Sequence, residues 1–385
     1  MQNDSYSYIN GLWQKKQQSE LEKKSYDLKD GIALVFSDRE LIEDKAFIEA
    51  TQKQFANNND ILYCSTAGEI DGLTVSTLSA VCINFSFEKT PHEFAFGNIQ
   101  DHANSFDLGV ATAKKMNLTG LKYVMLIADG NKINGDDLLS GIQSVIPEKV
   151  IISGGMAGDG VHFKKTLVGL NKDIKEGNVV LLGLYGDHIK VGNGFEGGWD
   201  MYGPERTITK SEGNILYEID GESALGLYKK YLGKYADELP SSALFFPISI
   251  QSKDGEGYIV RTILSVDEAN QSMTFAGNMP EGAEMRFMKS NPDRLIHAAA
   301  DAGYRSVQSL EADKAEVAII VSCIGRRLVL SDRTEEEVEA AIDHFPEGIS
   351  VAGFFSYGEI APDRNKRRSQ LHNQTFSVTT FTERL

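Results

Sequence analysis

Cysteine, histidine and long apolar runs are all sparse in this sequence, and each shortage closes off a class of function. The three cysteines of its 385 residues, Cys64, Cys82 and Cys323, stand in no CxxC spacing. That excludes a disulfide scaffold and a zinc ribbon, and fits reduced thiols in a cytoplasmic protein. No run approaches the ~18 apolar residues of a membrane-spanning helix. Met1 to Lys24 lacks the apolar centre of a signal peptide. Basic residues are outnumbered, 39 against 55 acidic ones, for a formal charge of −16. With no cationic excess to neutralise phosphates, neither nucleic acid nor an anionic membrane surface is an expected partner. The seven histidines show no ligand spacing, and no GxxxxGK(S/T) or HExxH motif occurs, so no metal site is expected.

What is abundant is glycine, 36 residues in all, and it falls into a repeated phrase. Ile349 to Ile360 reads as an apolar strand, a small-residue turn, then Gly358-Glu359; Ile61 to Ile70 repeats it with Gly68-Glu69, and Val150 to Asp159 with Gly158-Asp159. The joints echo as well: Ser37-Asp38-Arg39 matches Ser331-Asp332-Arg333, and Pro147-Glu148 matches Pro346-Glu347. An ancient duplication accounts for this, each copy carrying a glycine turn and a carboxylate to the same end of a sheet, where ligands gather in open α/β folds.

Along the chain, residues 1–24 read as a mobile lead-in or one loose helix. Apolar strands at 32–36, 61–64, 79–85, 124–128 and 150–153 alternate with helices near 38–56, 103–116 and 135–146. From 166 to 220 the texture turns to short strands and glycines, an antiparallel meander. A helix capped by Asp220 opens a second region, where Asn291-Pro292 starts another helix and Val317 to Ser322 is a buried strand. The expected fold is α/β (α+β), two related lobes with mixed sheets flanked by helices: an N-terminal domain at 25–220 and a C-terminal one at 221–385.

Gly192-Asn193-Gly194-Phe195-Glu196-Gly197 matches GxGxxG letter for letter. It does not read as a dinucleotide site, because Gly198, Gly203 and Pro204 follow where a helix must begin. Cys64 and Cys323 end apolar strands, and Arg326-Arg327 beside Cys323 could favour a thiolate or clamp a carboxylate. A nucleophilic cysteine would need a base, for which His372 is the candidate; a buried inert thiol is the alternative. Glu69, Asp159 and Glu359 would form a carboxylate cluster if their turns converge. The basic run at 364–368 reads as a solvated loop.

These residues together resemble the FIST domain proteins, N- and C-terminal halves both. The likeness rests on Cys64 to Ile70, Gly154 to Asp159, Glu212 to Asn214 with Tyr217 to Gly221, Cys323 to Arg326, Gly353 to Ile360, and Leu371 to Thr375, in order along about residues 30–380. One departure is Gly198-Trp199-Asp200, where family members often carry a basic residue and proline. The resemblance implies a bacterial, intracellular sensory module that binds small ligands such as amino acids and acts in signal transduction. Some members resemble haem-containing nitric oxide sensors acting on a partner histidine kinase or cyclic-dinucleotide enzyme. It assigns no catalytic residue.

The expected ligand contacts are Cys64, Ser65, Thr66, Glu69, Gly154, Gly155, Asp159, Cys323, Arg326, Tyr357, Glu359, His372 and Asn373. In that reading Arg326 holds a carboxylate, Glu69 or Glu359 an ammonium group, and Ser65, Thr66, Tyr357 and Asn373 supply hydrogen bonds. No cofactor is required. A haem reading would need an axial ligand, His162 or His188, and a third reading is a hydrolase or transferase using Cys323 or Cys64.

Overall fold

The computed structural model describes residues 1–16, 31–57, 59–239, 241–251, 257–311, 313–362 and 368–384. Apolar runs too continuous to be half-exposed fix its centre. Gly31–Ser37, Leu121–Ala128 and Val317–Cys323 are buried along nearly their whole length, as parallel strands covered on both faces must be. Each lies parallel to a second strand reached through a helix. The second strands are Asn59–Ser65, Ile151–Met156 and Ser350–Ser356, and the helices Lys45–Phe55, Gly135–Gln143 and Thr334–Ile342. The repeated phrase of the sequence is the end of each second strand.

Past the repeated phrase the units interlock. After its turn the chain leaves its own sheet and adds an antiparallel strand to the next. Glu69–Asp71 pairs with Ser350–Ser356, Gly358–Pro362 with Ile151–Met156, and Val168–Leu170 with Asn59–Ser65. Every unit gives one strand away and receives one, so the exchange closes in a ring. A third strand then returns beside the first: Ala80–Ser86, Asn178–Tyr185 and Phe376–Glu383. An outer strand flanks it in each sheet: Gln2–Ile9, His92–Asn98 and Ile189–Glu196.

The second lobe is an insertion between Ile189–Glu196 and the helix Pro292–Gln308. Its antiparallel strands, from Asp200–Glu212 to Glu284–Lys289, enclose Ile208, Leu216, Tyr228, Met273 and Phe287 with the helix Ala224–Leu232. The architecture is therefore α/β with mixed sheets in two lobes, as the sequence led us to expect, though the second lobe is this insertion and not a related half of the chain. Among the described residues no helix is long and apolar enough to cross a membrane.

Two local readings change. Residues 2–15 are a hairpin, Gln2–Ile9 with Leu12–Lys15, not a mobile lead-in; residues 17–24 lie outside the described residues, as do 364–367 of the basic run. Aromatic packing that the polar composition obscured anchors the hairpin, Tyr8 on Phe47 at 4.8 Å and Trp13 on Phe55 at 5.4 Å between ring centroids. The GxGxxG match lies in the strand Ile189–Glu196 but for its last residue, and its first two glycines serve helix packing. A Cβ at Gly192 or Gly194 would come within 1.9 Å of the Ser306 carbonyl oxygen or 2.0 Å of that of Ala302.

Candidate functional site

The three glycine-acid turns do converge. The Ala67 amide donates to the Phe355 carbonyl at 2.8 Å, the Tyr357 amide to that of Met156 at 3.1 Å, and the Gly158 amide to that of Ser65 at 2.9 Å. The carboxyls nevertheless do not meet, because each is taken up by its own hydroxyls or amides. Glu69 accepts from Thr66 and Ser79, and Glu359 accepts from Ser356 at 2.6 Å and Thr375 at 2.9 Å. Burial pushes both up to about 7, against the opposing pull of those hydroxyls. Asp159 accepts from the Tyr357 hydroxyl and from the amides of Lys164 and Lys165 at 3.0 and 2.9 Å. The expected carboxylate cluster is absent, and no group of His, Cys, Asp or Glu that could hold a metal occurs among the described residues.

Beside the turns lies a cleft of about 730 Å³ between the core and the inserted lobe. The core contributes the loop 130–135, the segment around Met156 and Phe163, Tyr357, Leu371, and the start of the helix Ile324–Leu330. The inserted lobe contributes Asn214, Leu244, Thr262 to Leu264 and Phe275 to Gly277. At its rim a polar latch joins the two bodies. Arg261 Nη2 donates to Asp136 Oδ2 at 2.8 Å and Arg261 Nη1 to the Leu371 carbonyl at 2.9 Å, while Asn278 Nδ2 donates to Asp137 Oδ1 at 2.9 Å. These bonds meet the start of the helix Gly135–Gln143, whose cap Asn134 also donates to Asn278 Oδ1 at 3.0 Å.

Tyr357 and Met156 are the turn residues that reach the cleft. Phe163 stacks on Tyr357, centroids 4.5 Å apart and planes 17° apart. The tyrosine hydroxyl also accepts the amides of Asp159 and Phe163 at 3.1 and 3.2 Å. Burial and the bond to Asp159 push that phenol far above its usual range. Phe163 itself holds a φ of 52°, an uncommon conformation for a bulky residue and the kind of strain that clusters at functional sites.

Of the remaining expected contacts, Cys323 alone lines the cleft. Arg326 is fully buried and its donors are engaged by Glu337 at 2.9 Å, the Leu295 carbonyl at 2.7 Å and the Gly197 carbonyl. It is an internal ion pair with no donor turned to a ligand, so its assignment as a carboxylate clamp is corrected. Glu69 and Glu359, assigned to an ammonium group, are closed in their hydroxyl cradles and do not line the cleft. Ser65 donates to the Gly158 carbonyl at 2.8 Å, and Thr66 to Glu69. Gly154 and Gly155 are packing glycines: a Cβ would lie 2.0 Å from the Leu126 carbonyl oxygen, or 2.7 Å from Val321 Cγ1. His372 packs against Phe195 with ring centroids 4.5 Å apart and planes tilted by 34°, and Asn373 receives the Thr262 amide at 3.4 Å just behind the cleft wall.

Cys64 is buried in the core, its thiol against the Ser65 carbonyl at 3.3 Å, and burial pushes it far above the ordinary thiol range. Cys323 lines the cleft, yet burial first and the neighbouring Glu359 second push its thiol up too, the reverse of activation. His162 and His188 are exposed and outside the cleft, so they do not fit axial ligation of a haem seated there. The contacts that sequence reasoning missed are Thr262 and Phe163. Both stand outside the repeated phrase, and nothing local in the sequence marks them.

Comparison with known proteins identifies a family for both halves of the chain. The FIST N domain profile matches residues 31–222 and the FIST C domain profile residues 224–362. An uncharacterized protein of Methanocaldococcus jannaschii is 25% identical over 50% of this chain, and the chain spans only 39% of that relative's length. An uncharacterized protein of Mycobacterium tuberculosis is 23% identical over 71% of both chains. Among solved structures, a cyanuric acid hydrolase of A. caulinodans aligns over 77% of this chain and all of its own, at 12% identity and a TM-score of 0.18. That score carries no argument.

Proposed function

The chain belongs to the FIST family of signal-transduction sensory domains, and we propose that it senses a small molecule in the cleft between its core and its inserted lobe, signalling to a partner such as a histidine kinase in the cytoplasm. The observation that supports this is the cleft itself. At about 730 Å³ it falls within the ~300–1,000 Å³ of small-molecule sites. It is walled by both bodies and bordered by the latch from Arg261 and Asn278 to the start of a helix. A ligand that contacts both walls binds the closed arrangement better than an opened one, and that difference is what shifts a two-state equilibrium.

The acid–amine anchors expected for an amino acid are engaged inside the protein, so the proposed ligand is a small metabolite held mainly by apolar walls. Ile324 lines the cleft at the start of its helix, and Ile324→Trp fills the space without adding charge. In a thermal-shift screen of metabolites, a true ligand at a hundred times its Kd stabilises the wild type by about 2.7 kcal/mol, and Ile324→Trp removes the shift while remaining folded. Stabilisation that persists in this variant places the ligand elsewhere and overturns the assignment of the cleft.

A further inference from the structure

Resting on that reading of the cleft as a ligand site, the placement of its polar groups narrows what enters. Away from the exposed rim they are already engaged. The Tyr357 hydroxyl is held by Asp159, and Asn214 Nδ2 donates to the Phe275 carbonyl at 2.8 Å. The Asn134 side chain accepts the Asp137 amide at 3.2 Å and donates to Asn278 Oδ1 at 3.0 Å. The amides of Asn131 and Lys132 donate to Asp129 Oδ1 at 2.8 and 2.7 Å, and that of Gly130 to Thr166 Oγ1 at 3.0 Å. The Thr262 hydroxyl oxygen has almost no open surface, which leaves the thiol of Cys323, a weak hydrogen-bonding group. A polar head carried inward would lose its water without gaining a partner.

The rim is different. Asn131, Lys132 and Ser241 line the cleft and are exposed, so a head group placed there keeps its water. Lys132 is the sole charged side chain among the described lining residues, and its Nζ lies 3.2 Å from Glu176 Oε1, so the rim favours neither sign strongly. Further in run aliphatic side chains of both bodies: Ile133, Met156, Ile324, Leu328 and Leu371 from the core and Leu244 from the inserted lobe. The exposed Val161 and Leu264 carry that apolar wall out to the rim.

We propose that the ligand is an amphiphile of medium-chain acyl type taken from solution, its chain laid among these aliphatic groups and its head left in water at the rim. Chain length then governs affinity, and head-group charge has little part in it. A net charge of −16 sets an anionic bilayer aside as the source.

Calorimetric titration of the full chain with hexanoate, octanoate and decanoate tests this, followed by octanamide and octylammonium. Each two-carbon step tightens binding about fivefold or more, two fully buried methylenes being worth roughly fifteenfold. The three eight-carbon ligands agree within about fivefold, as expected of heads that stay in water. Ile324→Trp weakens decanoate about tenfold or more by filling the space for its chain. Leu328→Trp, at a half-buried position of the same helix, gives the same loss without crowding the core. Equal affinity at six and ten carbons, lost in Ile324→Trp, overturns the amphiphile and leaves the cleft as the sensory site. So does a head group that dominates the eight-carbon series. Decanoate binding that persists in both variants lies outside the cleft, and overturns the proposal together with the reading beneath it. No binding by any member overturns the amphiphile alone, since the metabolite screen still judges the cleft. Co-sedimentation with phosphatidylglycerol vesicles that is lost in Ile324→Trp overturns the free source in favour of a bilayer lipid.

Discussion

The first and third glycine-acid turns enclose their own carboxyls, whereas the second hands its carboxyl to a neighbouring unit. In the first and third, a hydroxyl three residues before the glutamate, Thr66 or Ser356, and one at the entry to the returning strand, Ser79 or Thr375, enclose the carboxyl. In the second turn the residue at the hydroxyl's place is Met156, which lines the cleft, and Asp159 is held instead by Tyr357 from the neighbouring unit. One backbone design thus yields two internal braces and one site. The difference lies in a single position per copy: a hydroxyl keeps its own carboxyl, and a methionine releases the turn to a neighbour.

The third unit is held together most strongly by the ion pair of Arg326 with Glu337, and the largest effect is expected there. Both side chains have no exposure. Arg326→Ala leaves Glu337, already raised by burial, as a carboxyl without its cation, and costs about 3–5 kcal/mol. Urea unfolding checks this. A ligand-clamping arginine would instead lower affinity with little loss of stability, so a stable Arg326→Ala would break the assignment of this unit to bracing.

The two enclosed glutamates give the next effect, and its sign follows from their raised values. Each holds its proton up to about 7 in the folded chain against an ordinary 4.5. Between those values the folded state binds more protons than the unfolded one, so stability is fullest below 4.5 and falls as pH rises through 7. One such carboxyl accounts for roughly 3 kcal/mol at most. Glu69→Gln and Glu359→Gln should flatten the decline between pH 5 and pH 8, leaving each variant relatively more stable than the parent at pH 8. An unaltered slope would mean that the cradles hold carboxylates rather than carboxylic acids.

Much of this was legible in the residues. Continuous apolar runs such as Val317 to Cys323 marked the doubly covered strands, and the threefold phrase marked the turns that converge. Sequence could not say which way a carboxyl faces within a turn, because Thr66 and Ser356 look as suited to a ligand as to Glu69 and Glu359. Arg326 looked like a clamp for the same reason, since its partner Glu337 sits 11 residues away on the helix Thr334–Ile342. The exchange of strands among units was hidden more deeply: Glu69–Asp71 meets Ser350–Ser356 across most of the chain, and no local pattern encodes that pairing. Thr262 was invisible because a place in a cleft wall is a property of the fold around a residue.

The smallest effect belongs to the bond by which the third turn holds the second beside the cleft, and it sharpens the contrast most. Tyr357→Phe keeps the ring against Phe163 and removes the hydroxyl that joins Asp159 to the amides of Asp159 and Phe163. Asp159 retains the Lys164 and Lys165 amides, so the expected loss is about 1–2 kcal/mol, well below that of Arg326→Ala. Its signature is local: hydrogen exchange should quicken at the Asp159 and Phe163 amides and leave the amides of Gly68 and Thr375 protected as before. Quickening at all three turns would mean that they brace one another as a single unit. Confinement to the second would mean that this turn alone is free to answer what enters the cleft.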